Sequence, residues 1–429
     1  MNRRNFIIKS GLSSSIFSIV PSSVLGINGV SPNNKIQIGF IGAGRQGRGL
    51  MKNFTEYNEC QIIAVSDVDS QKVDFFSEEF ENKILKDNEK KVYIKKFEFY
   101  REMLQNTSVD AVVIATPDHW HAQMSVDSAK YGKDIYCEKP LSSTISEGRA
   151  MVNSARKYKV VYQTGSMQRS WKHFRHAAEL IQNGYIGEIK EVNVAIGDPH
   201  KQCDLPSLKA PDHLNWNEWI GPVPYRGYHP DLACLLEDKR WGQWRNYKPF
   251  GGGMITDFGA HMFDIVQWAL EMDNSGPKLF VPPKKNATLG LSYYYDNEVK
   301  VNHIKWGKGN NEIQFIGSEG KLEVSRRYLR TSPDKSLKDL IIPKNATKRV
   351  YQSDNHHLDW LNSIKNRTRP ICDVEIGHRT ASVCNICNIA YDLQRDLEWD
   401  AKKEIFVGDE SANLLIDRPY RGNWNYKEF

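Results

Sequence analysis

Residues 35–50, KIQIGFIGAGRQGRGL, decide how the chain is read. The β-rich apolar run IQIGFI is long enough for a buried parallel strand, and a helix-compatible stretch follows to about Tyr57. Between them stand Gly42, Gly44 and Gly47 in the spacing G-x-G-x-x-G, with Arg45 and Gln46 in the same turn. The first glycine permits a tight turn, the second lets a pyrophosphate approach the backbone, and the third lets helix and strand pack closely. Unpaired N–H groups and the positive dipole end of the helix would face the phosphates. A second strand, CQIIAVSD, ends in Asp67, 20 residues after Gly47, where an acid that binds the adenine-ribose hydroxyls belongs. A carboxylate there repels a 2′-phosphate, which favours NAD over NADP.

Working outward, strand and helix patterns alternate. Strand 109–117 (VDAVVIATP), helix 119–131, strand 133–140 (KDIYCEKP), helix 146–158 and strand VVYQTG complete a doubly wound parallel sheet over residues 35–165. Ligands bind such sheets at the carboxyl ends of the strands, so Thr116 and Pro117, and Glu138, Lys139 and Pro140, are expected in one crevice with the glycines. Residues 166–429 read differently. The stretch HFRHAAELIQNGYIGEI is an amphipathic helix closed by Gly184 and Gly187, followed by strand IKEVNVAIG. Four β-rich segments between 289 and 325, separated by turn residues, predict antiparallel pairing. Helices at about 354–366 and 375–393 and a strand near Leu397 follow. The expected class is therefore α/β: a Rossmann-type parallel sheet, then an α+β domain with an open, mostly antiparallel sheet.

Composition sets the outer limits. A chain of 429 residues with 40% apolar and 26% charged residues is neither disordered, collagenous nor a coiled coil, and suggests two or three domains. The net charge is +6, but Arg3, Arg4 and Lys9 sit in residues 1–34, which hold no acid, so nucleic-acid binding is not indicated. The lysine-rich run 83–96 reads as a solvated face or loop. Seven cysteines without framework spacing exclude a disulfide scaffold, and CNIC at Cys384–Cys387 reads as helix packing rather than a zinc site. Residues 1–30 begin MNRRNFIIK and continue into a short, serine-containing apolar stretch broken by Pro21. That pattern resembles a twin-arginine export signal, too short to span a bilayer stably, and predicts a folded protein delivered to the periplasm.

The motifs GAGRQG, the Asp67 strand end, ATPDHWHA (115–122), CEKPLS (137–142) and GGGMITDFGAHMFD (251–264) together resemble the glucose-fructose oxidoreductase, inositol dehydrogenase and rhizopine-catabolism (Gfo/Idh/MocA) family. The resemblance covers nearly the whole chain after residue 35. It implies an NAD-dependent oxidoreductase whose second domain covers the nicotinamide and often dimerises through its outer face. It matches Asp257 and His261 to the acid and histidine that work with Lys139, places His121 near the nicotinamide ribose, and implies a sharp bend at Lys139–Pro140. The implied cofactor contacts are Gly42, Gly44, Arg45, Gln46, Gly47, Asp67, Thr116, Pro117, His121, Glu138 and Lys139.

The residue types suit those tasks. Were Asp257 and His261 to lie on one helix, their i, i+4 spacing would put them on one face. Neutral His261 can take a hydroxyl proton, Lys139 can stabilise charge on the substrate oxygen, and Asp257 can orient the pair or bind a neighbouring hydroxyl. His119 and His121 lack a third ligand, so no metal is expected. The aromatic stretch between Gly197 and Phe250 either stacks on a sugar or staples a long loop with its own rings. Tyr225, His229, Arg240 and Trp241 are its candidate substrate contacts. The function expected is oxidation of a secondary hydroxyl of a sugar, cyclitol or glycoside with tightly bound NAD(H). A redox-neutral glycoside-cleaving enzyme and a nucleotide-binding sensor without turnover are the alternatives.

Overall fold

The computed structural model describes residues 35–422 apart from 88–91, 107, 285–286, 308 and 344, together with Tyr426 and Phe429. The expected export signal lies outside the described residues. Six parallel strands, β1 (Ile36–Ile41), β2 (Cys60–Ser66), β3 (Lys95–Phe97), β4 (Ala111–Ile114), β5 (Asp134–Cys137) and β6 (Tyr162–Thr164), form one sheet in the order β3-β2-β1-β4-β5-β6. Helices α1 (Arg45–Phe54), α2 (Ser70–Asp87), α3 (Tyr100–Gln105), α4 (His121–Lys130) and α5 (Ile145–Tyr158) connect them. β1 is buried at every position but one and β4 at all four, as strands covered on both faces must be. The order reverses between β1 and β4, so the turns that leave them open a crevice at their carboxyl ends.

Local chemistry fits these boundaries. The Thr144 hydroxyl accepts from the Glu147 N–H and the Glu147 carboxylate accepts from the Thr144 N–H, a capping box that starts α5. The lysine-rich run divides: residues 83–87 continue α2 instead of forming a loop, and Lys83 pairs with Glu56.

After β6 a short turn carries Arg169 and leads to α6 (Lys172–Gln182), which ends where Gly184 and Gly187 both take φ near 74°. The second sheet holds β7 (Ile189–Ala195), β8 (Leu279–Val281), β9 (Ser292–Tyr294), β10 (Lys300–His303), β11 (Glu312–Gly317), β12 (Lys321–Ser325), β13 (Leu329–Ser332), β14 (Leu397–Asp400) and β15 (Ile405–Phe406). Their order is β13-β12-β11-β7-β10-β9-β8-β14-β15, with only the β7–β10 pair parallel. The remaining helices are α7 (Trp216–Ile220), α8 (Gly253–Asp257), α9 (Gly259–Ala269), α10 (His356–Asn366), α11 (Val374–Leu393) and α12 (Glu410–Asn413). Val192, Val301 and Phe315 of this sheet share a core with Phe174, Met262, Phe263, Cys384 and Cys387 of the helices, and both thiols are free. Another side of the sheet is polar: Ser292, Asn302, Asn193, Gln314 and Glu323 form a row of side-chain hydrogen bonds across five strands.

One packing relation was not foreseen. Trp360, Leu361 and Ile364 of α10 are buried against Phe54 and Tyr136, so this late helix completes the core of the first sheet. No described helix is long and apolar enough to cross a membrane.

Arg169 fixes α9 to the turn that follows β6. Its guanidinium is 1% exposed and makes a two-pronged pair with Asp264 of α9 at 2.8 and 2.9 Å, while Asp273 takes two further donors. Thr380 of α11 donates to the same Asp264 carboxylate. Arg169→Leu leaves Asp264 buried without its partner, and a denaturant titration should show a loss of about 3–5 kcal/mol; an unchanged midpoint would mean the pair does not hold α9.

Candidate active site

The crevice is a cavity of about 900 Å³, within the size range of small-molecule and cofactor sites. At one end stand Gly42, Gly44, Arg45, Gln46 and Asp67. Gly42 has φ 103°, and a Cβ there would meet the Ala115 carbonyl at 2.6 Å. A Cβ on Gly47 would strike the Gly42 carbonyl at 2.1 Å, so Gly47 serves helix-to-strand packing and does not line the cavity. On Gly44 a Cβ would meet nothing within 4 Å, leaving open space where a pyrophosphate needs it. Asp67 accepts from the Ala43 N–H at 2.8 Å and the Asp69 N–H at 3.0 Å, which aims its carboxylate at the turn. These features fit a dinucleotide.

At the other end Lys139, Asp257 and His261 converge. Lys139 leaves the end of β5, and its bond to Pro140 is cis, the sharp bend that the resemblance implied. Its Nζ donates to the Asp257 carboxylate at 2.5 Å and to the Asp257 carbonyl at 3.0 Å. Arg245 lies 3.4 Å from the same carboxylate oxygen. Burial opposes ionisation of Asp257, but Lys139 and Arg245 outweigh it and hold the carboxyl down at about 2. The Asp257–His261 segment is not a single helix: Asp257 ends α8, Phe258 intervenes, and His261 stands in the first turn of α9. Both side chains still line the cavity. Burial, then the charges of Lys139 and Arg326, push the His261 imidazole well below its ordinary range, so it is neutral at neutral pH. Its Nδ1 is buried without a hydrogen-bond partner among the described residues.

The turns between these ends are braced by named contacts. Gln46 donates to Glu138 at 2.8 Å, joining the glycine turn to the β5 end, and Thr116, Pro117 and Glu138 line the wall. His121 is displaced from its expected position: fully buried behind that wall, its ring nitrogens meet the carbonyls of Pro140 (2.8 Å) and Thr116 (3.0 Å). Burial pushes its pKa down to about 4. The ring of His119 meets the Trp219 carbonyl at 3.0 Å.

The aromatic stretch divides. Trp216 and Trp219 stack at 4.8 Å and pack with Tyr228, Trp244, Tyr247 and Phe250 into a core of their own. Residues 232–242 form a strap along the cavity. Trp241 lies between the guanidiniums of Arg45 (5.1 Å) and Arg245 (5.5 Å), closing the strap onto the glycine turn. Of the expected substrate contacts, Arg240 and Trp241 line the cavity, with Arg240 paired to Asp231 and Asp238. Tyr225 and His229 do not: Tyr225 is 65% exposed near Arg421, and His229 Nδ1 accepts from the Asp231 N–H of its own turn. Both belong to a loop that bends away from the crevice.

Sequence reading missed Asp118, Arg245 and Arg326. Asp118 sits inside ATPDHWHA and Arg245 inside the aromatic stretch, so their motifs were visible. Arg326, from the end of β12, carried no signal. Its Nε donates to Gln168 at 2.7 Å and its guanidinium lies over Phe258 at 5.2 Å.

Two comparisons with family descriptions bear on the whole chain. Residues 36–166 match "Oxidoreductase family, NAD-binding Rossmann fold" and residues 199–426 match "Oxidoreductase family, C-terminal alpha/beta domain", both of the Gfo/Idh/MocA group. A myo-inositol 2-dehydrogenase of Thermotoga maritima is 27% identical over 164 residues, 38% of this chain and 46% of that protein. A glycosyl hydrolase family 109 protein of Shewanella pealeana is 30% identical over 171 residues, 36% of this chain and 37% of that one. The match thus spans less than half the length of these relatives. In fold, a scyllo-inositol dehydrogenase from Lactobacillus casei, solved with NAD(H) and scyllo-inositol, superposes with a TM-score of 0.55 at 17% identity, covering 85% of this chain and 99% of that one. With both halves matched in order along one polypeptide, the chain belongs to the Gfo/Idh/MocA oxidoreductase family.

Proposed function

We propose that the protein oxidises a secondary hydroxyl of a sugar, cyclitol or glycoside, uses NAD in preference to NADP, and holds NAD(H) between turnovers, a second, carbonyl-bearing substrate taking the hydride back from the bound nicotinamide in ping-pong fashion. The observation that carries this reading is the meeting of Lys139, Asp257 and His261, drawn from both halves of the chain, in the cavity that begins at the glycine turn. A nicotinamide bound there supplies the hydride acceptor. Neutral His261 takes the hydroxyl proton. Lys139, oriented by Asp257, donates to the substrate oxygen and stabilises negative charge as it develops. Asp67 at the ribose end supports NAD, since a 2′-phosphate would face its carboxylate. The Trp241 strap supports retention of the cofactor, and Arg3-Arg4 supports export of the loaded, folded protein by the twin-arginine route to the periplasm. Association of two copies through the second sheet, which the family resemblance implies, belongs to the same proposal.

The relative named as a glycosyl hydrolase favours one second reading, transient oxidation followed by release of an aglycone and reduction of the product. Sugar release from a synthetic glycoside without net NADH formation distinguishes it. A sensor without turnover would need none of the convergence around Lys139.

Against a panel of sugars and cyclitols, absorbance at 340 nm should rise with the wild type, and Lys139→Ala and His261→Ala should each lower the rate by about 10²–10⁴-fold; full activity in either variant would refute its role. Purified protein should carry nucleotide detectable by mass spectrometry, and Trp241→Ala should lose it on gel filtration; nucleotide-free wild type would contradict retention. Because His261 stays neutral as acid is added, kcat/KM should persist as pH falls through about 6.5, the value at which an ordinary imidazole is half protonated. An acid limb centred at or above that pH would show that His261 is not the base.

A further inference from the structure

Asp118 has no part in the scheme above. It follows β4 and Pro117, is 4% exposed and lines the cavity beside the catalytic groups. Its carboxyl feels the charges of Arg245, Asp257 and Lys139, yet none of them pairs with it: Lys139 and Arg245 both turn to Asp257. Among the described residues no other side chain donates to it. Its hydrogen bond within the chain comes from its own backbone N–H, since Pro117 has none and the His119 and His121 rings meet backbone carbonyls. A buried carboxylate with only its own backbone N–H as donor is costly, and burial raises the Asp118 pKa well above the usual carboxylate range. A carboxyl accepts from a substrate hydroxyl in either protonation state, and donates to it as well when protonated.

We propose that Asp118 contacts the substrate, exchanging hydrogen bonds with a second hydroxyl on the carbon next to the one oxidised, and so selects vicinal diols over isolated secondary alcohols. This rests on the oxidoreductase reading. Lys139 and His261 take the reacting oxygen, and Asp118 faces the same Lys139–Asp257 pair, so the hydroxyl within its reach belongs to a neighbouring carbon. A hydroxyl in that position gives the buried carboxyl a partner beyond its own backbone N–H. A site built to bond a hydroxyl rejects the analogue lacking it, because the buried group is left unpaired.

The test uses the NAD-loaded full chain with myo-inositol, methyl β-D-glucoside and their monodeoxy analogues. The wild type should favour at least one parent over its vicinal deoxy analogue by about 10²-fold or more in kcat/KM. Asp118→Leu should erase that preference by losing activity on the parent alone, while Asp118→Asn, which still donates and accepts, should keep most of it. Both variants should melt with the wild type and bind NAD as it does. Equal loss on parent and deoxy substrates, a loss confined to NAD affinity, or a lowered melting point in Asp118→Asn would each overturn the assignment. Wild type that reduces NAD with none of these compounds overturns the oxidoreductase reading and this inference with it; an active wild type whose preference for the parent survives in Asp118→Leu overturns the inference alone.

Discussion

The Lys139–Asp257 pair is the contact on which the site depends. Its lysine comes from the end of a parallel strand and its aspartate from a helix beneath the second sheet, and both are largely withdrawn from water. Neither charge could be buried alone, since an unpaired buried ion costs several kcal/mol. Each therefore requires the other half of the molecule to be in place. The pair also shapes the electrostatics around it: the ammonium, aided by Arg245, keeps Asp257 ionised against its burial, and burial, reinforced by the ammonium and Arg326, keeps His261 neutral. A base and a charged hydrogen-bond donor can then stand side by side without competing for one proton.

Holding that geometry falls to groups that take no part in the chemistry. Arg169 clamps α9 through Asp264, one turn beyond His261, and Thr380 ties the same carboxylate to α11. On the first sheet, Gln46 and Glu138 lock the glycine turn to the strand that carries Lys139, and His121 bolts the β4 turn to Pro140. A cavity walled by turns from both halves is rigid only because these buried polar groups are satisfied across it.

Much of this was legible beforehand. Glycine spacing, the acid at the end of the second strand and the strand–helix alternation each reflect a local constraint: backbone room, hydrogen-bond satisfaction and burial on two faces. β-rich segments separated by turn residues marked the second sheet for the same reason. Aromatic density was a weaker guide, because rings bury equally well against one another. The Trp216–Trp219 stack packs into a core of which Trp219 and Trp244 also reach the cavity, whereas Tyr225 and His229, chosen by type, do not line it.

Local patterns in the chain thus determined the two halves, the nucleotide end of the crevice and the lysine, aspartate and histidine that meet in it. Only the tertiary structure decided that α10 completes the first core, that the strap closes through Trp241, that Arg326 reaches the site from a distant strand, and that Asp118 is buried in the cavity wall with no side-chain donor among the described residues. Those are properties of what surrounds a side chain. Burial, field and unmet hydrogen bonds arise between residues far apart in sequence, and no local pattern records them.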